Sequence, residues 1–169
     1  MKNHFELFGL TPAYALDLEN LDRAYREIQA RIHPDKFAHA GDAERRASMQ
    51  MATRVNEAYR TLKSPVRRAV YLLGINGVDV AFETDTAMPK EFLMEQMEIR
   101  ERLEEAKDSK SLDVLKGDLS SFKRELEKRI TDEIDSRKNF ESAKALVRKL
   151  MFFDRLADEI DAAYEALER

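Results

Sequence analysis

His33-Pro34-Asp35 sets an imidazole, a ring that cannot continue a helix, and a carboxylate in three successive positions. Three chemistries are open to such a triplet: proton transfer by the His–Asp pair, metal ligation, or display of a polar corner to a partner protein. The first two need more groups than the chain supplies. Its other histidines are His4 and His39, it has no cysteine, no nucleophile stands beside a base, and no glycine-rich phosphate loop occurs. Proline lacks an N–H, its ring strikes the preceding turn, and the residue before it is driven out of helical geometry. The triplet therefore ends a helix and leaves two polar side chains at an exposed corner. Upstream, Arg23, Arg26 and Arg31 spread over the side of that helix opposite its apolar stripe. Arginine suits pairing with carboxylates at an interface, although an ordinary solvated face carries it too.

A second constellation lies beyond Pro89. Phe92, Ile99, Leu103 and Ala106 recur at helical spacing and form the stripe that a core takes. Leu93, Met94 and Met97 fall in another sector, about 100–200° around the helix from Phe92. Glu98, Glu101, Glu104 and Glu105 lie along that sector and its edge. Methionine adapts its shape and carboxylates set register, so the sector suits a docked partner. Packing against the front half of the chain is the alternative. Near the far end, Phe152 stands well off the stripe of Ala143, Val147, Leu150, Phe153 and Ala157. Its ring there either covers a neighbouring helix or anchors a partner.

Helices must position these groups. The four prolines, Pro12, Pro34, Pro65 and Pro89, all stand where helical periodicity stops or starts. A short helix is expected over Phe5 to Leu10. A second, capped by Asp17, runs to Ile32 with Leu18, Leu21, Tyr25, Ile28 and Ile32 on one stripe. A third runs from Asp42 to Lys63 with Ala47, Met51, Val55, Ala58 and Leu62 inward. Ser64 and Pro65 open a fourth that ends at Gly74. Gly77, Val78, Val80 and the following polar residues lose the helical period. Three long helices are expected beyond them: Pro89 to Lys107, Leu112 to Ser136, and Phe140 to Leu167 with Asn139 as its cap. In the middle one, Leu112, Leu115, Leu119, Phe122 and Leu126 face the core.

The 169 residues suffice for one large or two small domains, and the wealth of Ala, Leu, Glu, Lys and Arg favours helices over sheets. No apolar run reaches the roughly 20 residues of a membrane span, and the N-terminus lacks the pattern of a signal peptide. A cytoplasmic location is the expectation. Lys and Arg outnumber Asp and Glu by 12 to 9 over residues 1–75 and fall short, 17 to 24, over residues 76–169. A basic front and an acidic back suit two different binding surfaces, while the overall −4 disfavours a nucleic-acid footprint.

The combination is more specific than its parts. The basic helix, His33-Pro34-Asp35-Lys36-Phe37, and the run Asn56-Glu57-Ala58-Tyr59-Arg60-Thr61-Leu62-Lys63-Ser64-Pro65 with Arg67-Arg68-Ala69 closely resemble a J-domain over roughly residues 1–75. Many J-domains have Tyr before the His; Ile32 stands there here and preserves the apolar stripe. Phe5-Glu6-Leu7-Phe8-Gly9-Leu10, Phe92-Leu93-Met94-Glu95-Gln96-Met97-Glu98-Ile99-Arg100-Glu101 and Arg148-Lys149-Leu150-Met151-Phe152 extend the likeness. In that order, across nearly the whole chain, they resemble the HscB family of J-domain co-chaperones of iron–sulfur cluster assembly.

The resemblance implies an all-α, L-shaped molecule. A J-domain (residues 1–75) and a linker (76–88) lead to a three-helix, scaffold-binding bundle (89–169), with the first domain packed at an angle on the last. It implies a co-chaperone and not an enzyme, without metal or other cofactor, acting on neither nucleic acid nor membrane. His33, Pro34 and Asp35, supported by Arg23, Arg26 and Arg31, would contact a DnaK-type chaperone ATPase, HscA, and stimulate its hydrolysis. Leu93, Met94, Met97, Glu98, Glu101, Glu105 and Phe152 would bind the cluster scaffold IscU. Some eukaryotic members add a cysteine-bearing N-terminal module that this chain lacks, which fits a bacterial source. A J-domain co-chaperone with a general receptor for unfolded clients is the alternative function, and a small helical enzyme using His33 and Asp35 is another.

Overall fold

The computed structural model describes residues 1–80 and 89–169, so positions 81–88 of the expected linker lie outside the described residues. Among the described residues every regular element is helical: α1 (His4–Leu7), α2 (Leu18–Ile32), α3 (Asp42–Lys63), α4 (Pro65–Ile75), α5 (Lys90–Glu105), α6 (Ser109–Thr131) and α7 (Phe140–Leu167). A 3₁₀ turn, Pro34–Phe37, follows α2, and a π turn, Asp132–Ser136, follows α6. The chain divides into two compact units, Met1–Leu72 and Leu73–Arg169, with the division inside α4.

Capping chemistry sets the ends. Asp17 accepts the N–H groups of Glu19 and Asn20, Asp108 that of Ser111, and Asn139 that of Ser142, each satisfying donors that a first helical turn leaves orphaned. The Ser64 hydroxyl accepts the Arg67 N–H at the start of α4. Helix α1 is shorter than expected because Asn3 and Glu6 form a reciprocal capping box and Gly9 turns the chain out at φ 67°. The Leu10 N–H then reaches the Phe5 carbonyl at 2.9 Å. Gly77, at φ 81°, ends α4 the same way, with the Val78 N–H on the Leu73 carbonyl at 2.8 Å. Val78 and Val80 beyond it are buried, so the stretch that loses helical period is not all free linker.

In the first unit α2 and α3 run antiparallel, as the pairings Asp22–Lys63, Tyr25–Asn56 and Ile32–Ser48 show. Phe5, Leu21, Val55, Ala58, Leu62 and Ala69 form its buried centre. The stripe expected on α3 fails at its first turns: Ala47 and Met51 are exposed and Ser48 is buried in their place. The reason is polar. At that level α3 meets the end of α2, where the Ile32 carbonyl has lost its helical partner and takes the Ser48 hydroxyl at 2.8 Å.

In the second unit α6 and α7 are antiparallel, as the pairs Asp113–Tyr164 and Lys123–Asp154 indicate, and α5 runs parallel to α7, as Glu95–Lys149 and Arg100–Glu159 indicate. Leu112, Leu115, Leu119, Leu126 and Ile130 of α6 meet Val147, Leu150, Phe153, Leu156 and Ile160 of α7 as one apolar core, with Phe92 and Ile99 from α5. Phe122, expected inward, is 42% exposed; its ring lies at the bundle edge, tilted on Phe153 at 6.0 Å. Nothing in the structure explains Gly117, around which a side chain would meet open space. Leu150→Ala removes a fully buried side chain and is expected to cost roughly 2–5 kcal/mol in urea unfolding followed by circular dichroism. A loss below about 1 kcal/mol would contradict this description of the core.

Candidate functional site

The first site is the corner that ends α2. His33 has φ −55° and ψ 132°, the extended geometry that a following proline requires. Its Nδ1 accepts the Asp35 N–H at 3.2 Å, so in this geometry the ring proton sits on Nε2. The Asp35 carboxylate lies 3.5 Å from the same nitrogen, and its side chain is 91% exposed against 50% for His33. The tight 3₁₀ turn thus orients the His33 ring and presents the Asp35 carboxylate beside it, open to solvent. Arg26, His33, Asp35 and Lys36 line one shallow depression together with Gln29 and Ala30. Arg23 lies one turn before Arg26, exposed and donating to Asn20 at 3.3 Å. Arg31 is exposed in the last turn of α2, outside that lining, where its charge also suits the helix C-terminus. Gln29 and Lys36 escaped the sequence reading as site residues. Spacing from Arg26 identifies the first, and adjacency to Asp35 the second.

A polar seam holds α2 against α3. Lys63 Nζ donates to both Asp22 oxygens at 2.8 and 2.9 Å, and the Tyr59 hydroxyl donates to Asp22 at 2.7 Å. The Tyr25 hydroxyl donates to Asn56 at 2.5 Å, and its ring stands 4.0 Å from that of Tyr59. Lys63, then Tyr59, holds the Asp22 carboxyl below its ordinary value, and Asp22 in turn raises both partners. The seam fixes α2 against α3 and leaves Arg23, Arg26 and Arg31 exposed.

The second site lies on α5. Phe92 and Ile99 are buried, and the opposite side exposes Leu93 (45%), Met94 (60%) and Met97 (71%). Glu98, Glu101, Glu104 and Glu105 are exposed on the same helix. The structure thus brings together all the α5 residues singled out from spacing. It does not bring Phe152 to the surface with them. That ring is 3% exposed, edge-on to Phe92 at 5.6 Å, with the Arg100 guanidinium over it at 5.5 Å. Helix α7 touches both neighbours, so Phe153 meets Phe122 of α6 while Phe152 covers α5. Of the two roles open to Phe152, the ring takes the one of covering a helix.

Among the described residues no group of three or more His, Asp or Glu is placed to hold a metal ion, and no helix is long and apolar enough to cross a membrane. Residues 3–71 match the family model of the DnaJ domain, and residues 88–161 match that of the HSCB C-terminal oligomerisation domain. The fold and the corner therefore define a J-domain protein with a helical C-terminal domain. The chain is 48% identical over 169 residues to the co-chaperone protein HscB homolog of Burkholderia multivorans, covering 98% of this chain and 96% of that one. It is similar to the solved chaperone HscB from Vibrio cholerae, with 34% identity, a TM-score of 0.87, and coverage of 98% and 99%. It is similar also to the human co-chaperone HscB, with 28% identity, a TM-score of 0.92, and coverage of 96% and 82%. The chain belongs to the HscB family, J-domain co-chaperones of iron–sulfur cluster assembly.

The Asp22 seam has a pH signature. A carboxyl whose value is lowered by folding contributes stability above its unfolded value of about 3.9, and that contribution is lost as pH falls through the lower folded value. Thermal unfolding midpoints between about pH 6 and about pH 2 are expected to fall less steeply for Asp22→Asn than for the native chain. Parallel slopes would show that the seam adds nothing.

Proposed function

We propose that the chain works as a two-site tether in the bacterial cytoplasm. Its corner engages the DnaK-type chaperone HscA and stimulates ATP hydrolysis there. Its α5 face holds the scaffold protein IscU and delivers it to that chaperone. In this reading His33, Pro34 and Asp35 make the central contact with the ATPase, and Arg23, Arg26 and Arg31 pair with carboxylates around it. Leu93, Met94 and Met97 take the scaffold's apolar side chains, and Glu98, Glu101 and Glu105 set its register. Phe152 supports the face from beneath by holding α5. The observation that carries the reading is the bare Leu/Met strip on a helix that packs through Phe92 and Ile99 on its other side, in a chain that also displays the His-Pro-Asp corner.

The physical logic asks for no bond chemistry from the chain itself. Joining two binding sites on one polypeptide makes the second encounter intramolecular, at an effective concentration on the order of millimolar for short flexible linkers. A narrow apolar strip edged by four glutamates favours one partner over a broad class of unfolded clients. A polar corner with one fixed donor and one exposed acceptor gives a partner two oriented hydrogen bonds at little ordering cost.

Measuring HscA's ATPase rate with and without IscU tests both sites. His33→Gln is expected to abolish stimulation altogether. Met97→Ala is expected to spare stimulation by the co-chaperone alone and to lose most of the added effect of the scaffold. A native chain that leaves the ATPase rate unchanged in both conditions overturns the proposal. Equal scaffold enhancement in the native chain and Met97→Ala overturns the assignment of the strip.

A further inference from the structure

Arg100 is the cation that spacing alone passes over. Leu93, Met97, Arg100 and Glu104 succeed one another at intervals of four, three and four, which puts them on one side of α5, about 80–140° from Phe92. Arg100 therefore stands beside the exposed strip, within a turn of Met97. Arg102, the other arginine of α5, points elsewhere, to Asp118 of α6 at 2.8 Å.

The guanidinium is fixed from two directions. One nitrogen, Nη1, donates to both oxygens of Glu159 on α7 at 3.3 and 3.0 Å. The group also lies over the Phe152 ring at 5.5 Å. Yet its side chain remains 49% exposed, and among the described residues neither Nε nor Nη2 has a hydrogen-bond acceptor. Those two nitrogens form the edge of the fork that grips a carboxylate bidentately. A long, flexible side chain normally gives up rotamer freedom when it binds; this one is held already.

We infer that Arg100 is the charge pin of the α5 face: its open edge takes a carboxylate of the docked segment, while Leu93 and Met97 take apolar side chains on either side of it. Glu98, Glu101, Glu104 and Glu105 repel an acidic segment around this point, while the exposed Lys90 lies at the N-terminal end of the strip. The complementary partner therefore carries an acid flanked by apolar residues, with basic groups further out. Phe152 acts here as a positioning residue, through the cation above it. The inference rests on the reading that this face carries the scaffold, and it names the chemistry that the scaffold must present.

Titration calorimetry of the full chain with purified IscU tests it. Arg100→Gln is expected to weaken binding about tenfold, with Arg100→Lys intermediate because the charge stays and the fork goes. Glu159→Gln is expected to weaken binding less than Arg100→Gln does, since the amide oxygen keeps one of the two bonds from Nη1 that hold the guanidinium. Melting temperatures of all three should match the native chain. Binding by Arg100→Gln within about twofold of native, while Met97→Ala binds weakly, overturns the inference. So does a loss in Glu159→Gln as large as in Arg100→Gln, which would mark the pair as a brace between helices. Native-strength binding by Met97→Ala would instead strike the underlying reading of the face.

Discussion

Pro34 cannot donate a hydrogen bond, and that one missing proton organises the first unit. It stops α2 at Ile32 and leaves the last carbonyls of the helix without their usual partners. The Ile32 carbonyl is taken by the Ser48 hydroxyl, buried on α3. That bond ties the end of α2 to its neighbour immediately before His33. From there the chain can only tighten into the Pro34–Phe37 turn, with the Asp35 N–H spent on the His33 ring. The corner is tight because its backbone and the His33 ring are bonded to one another, and it is open because the Asp35 side chain is 91% exposed and that of His33 50%.

The second unit follows from a different constraint, the number of faces a helix has. Helix α7 packs against both neighbours and buries residues around much of its circumference, including Phe152 and Phe153 in succession. Helix α5 packs with only one stripe, through Phe92 and Ile99. A helix used on one side can carry polar residues on the other at no cost. This one carries a leucine and two methionines there instead. Exposed singly such residues mean little, but three within five positions form a continuous apolar patch.

Much of this was legible in the sequence, for reasons that differ by residue. Asp17, Ser64 and Asn139 act through bonds within one turn, so their local sequence suffices to identify the caps. The exposed sector of α5 was legible because helical period is itself local. Ala47 and Met51 misled because apolar spacing carries no information about where the neighbouring helix ends. Phe152 stayed between two roles because its burial depends on how closely α7 lies against α5, which no spacing rule encodes. Arg100 was passed over for the same reason: its anchors, Glu159 and the Phe152 ring, stand more than fifty residues away in the chain.

The two faces differ in how their groups are prepared for a partner. At the corner, the backbone does the ordering: the Asp35 N–H fixes the His33 ring, and the Asp35 carboxylate stands exposed beside it. On α5 the helix orders the backbone, but the methionines keep their rotamer freedom and can settle against more than one shape. An adaptable apolar strip gives affinity with little register, and flanking glutamates alone would tolerate a slide of one turn, since Glu98, Glu101 and Glu105 repeat at near-helical spacing. A single oriented cation breaks that repeat. Held by Glu159 and the Phe152 ring, Arg100 supplies the one position that a shifted partner cannot satisfy, because a slide would leave its carboxylate facing glutamates.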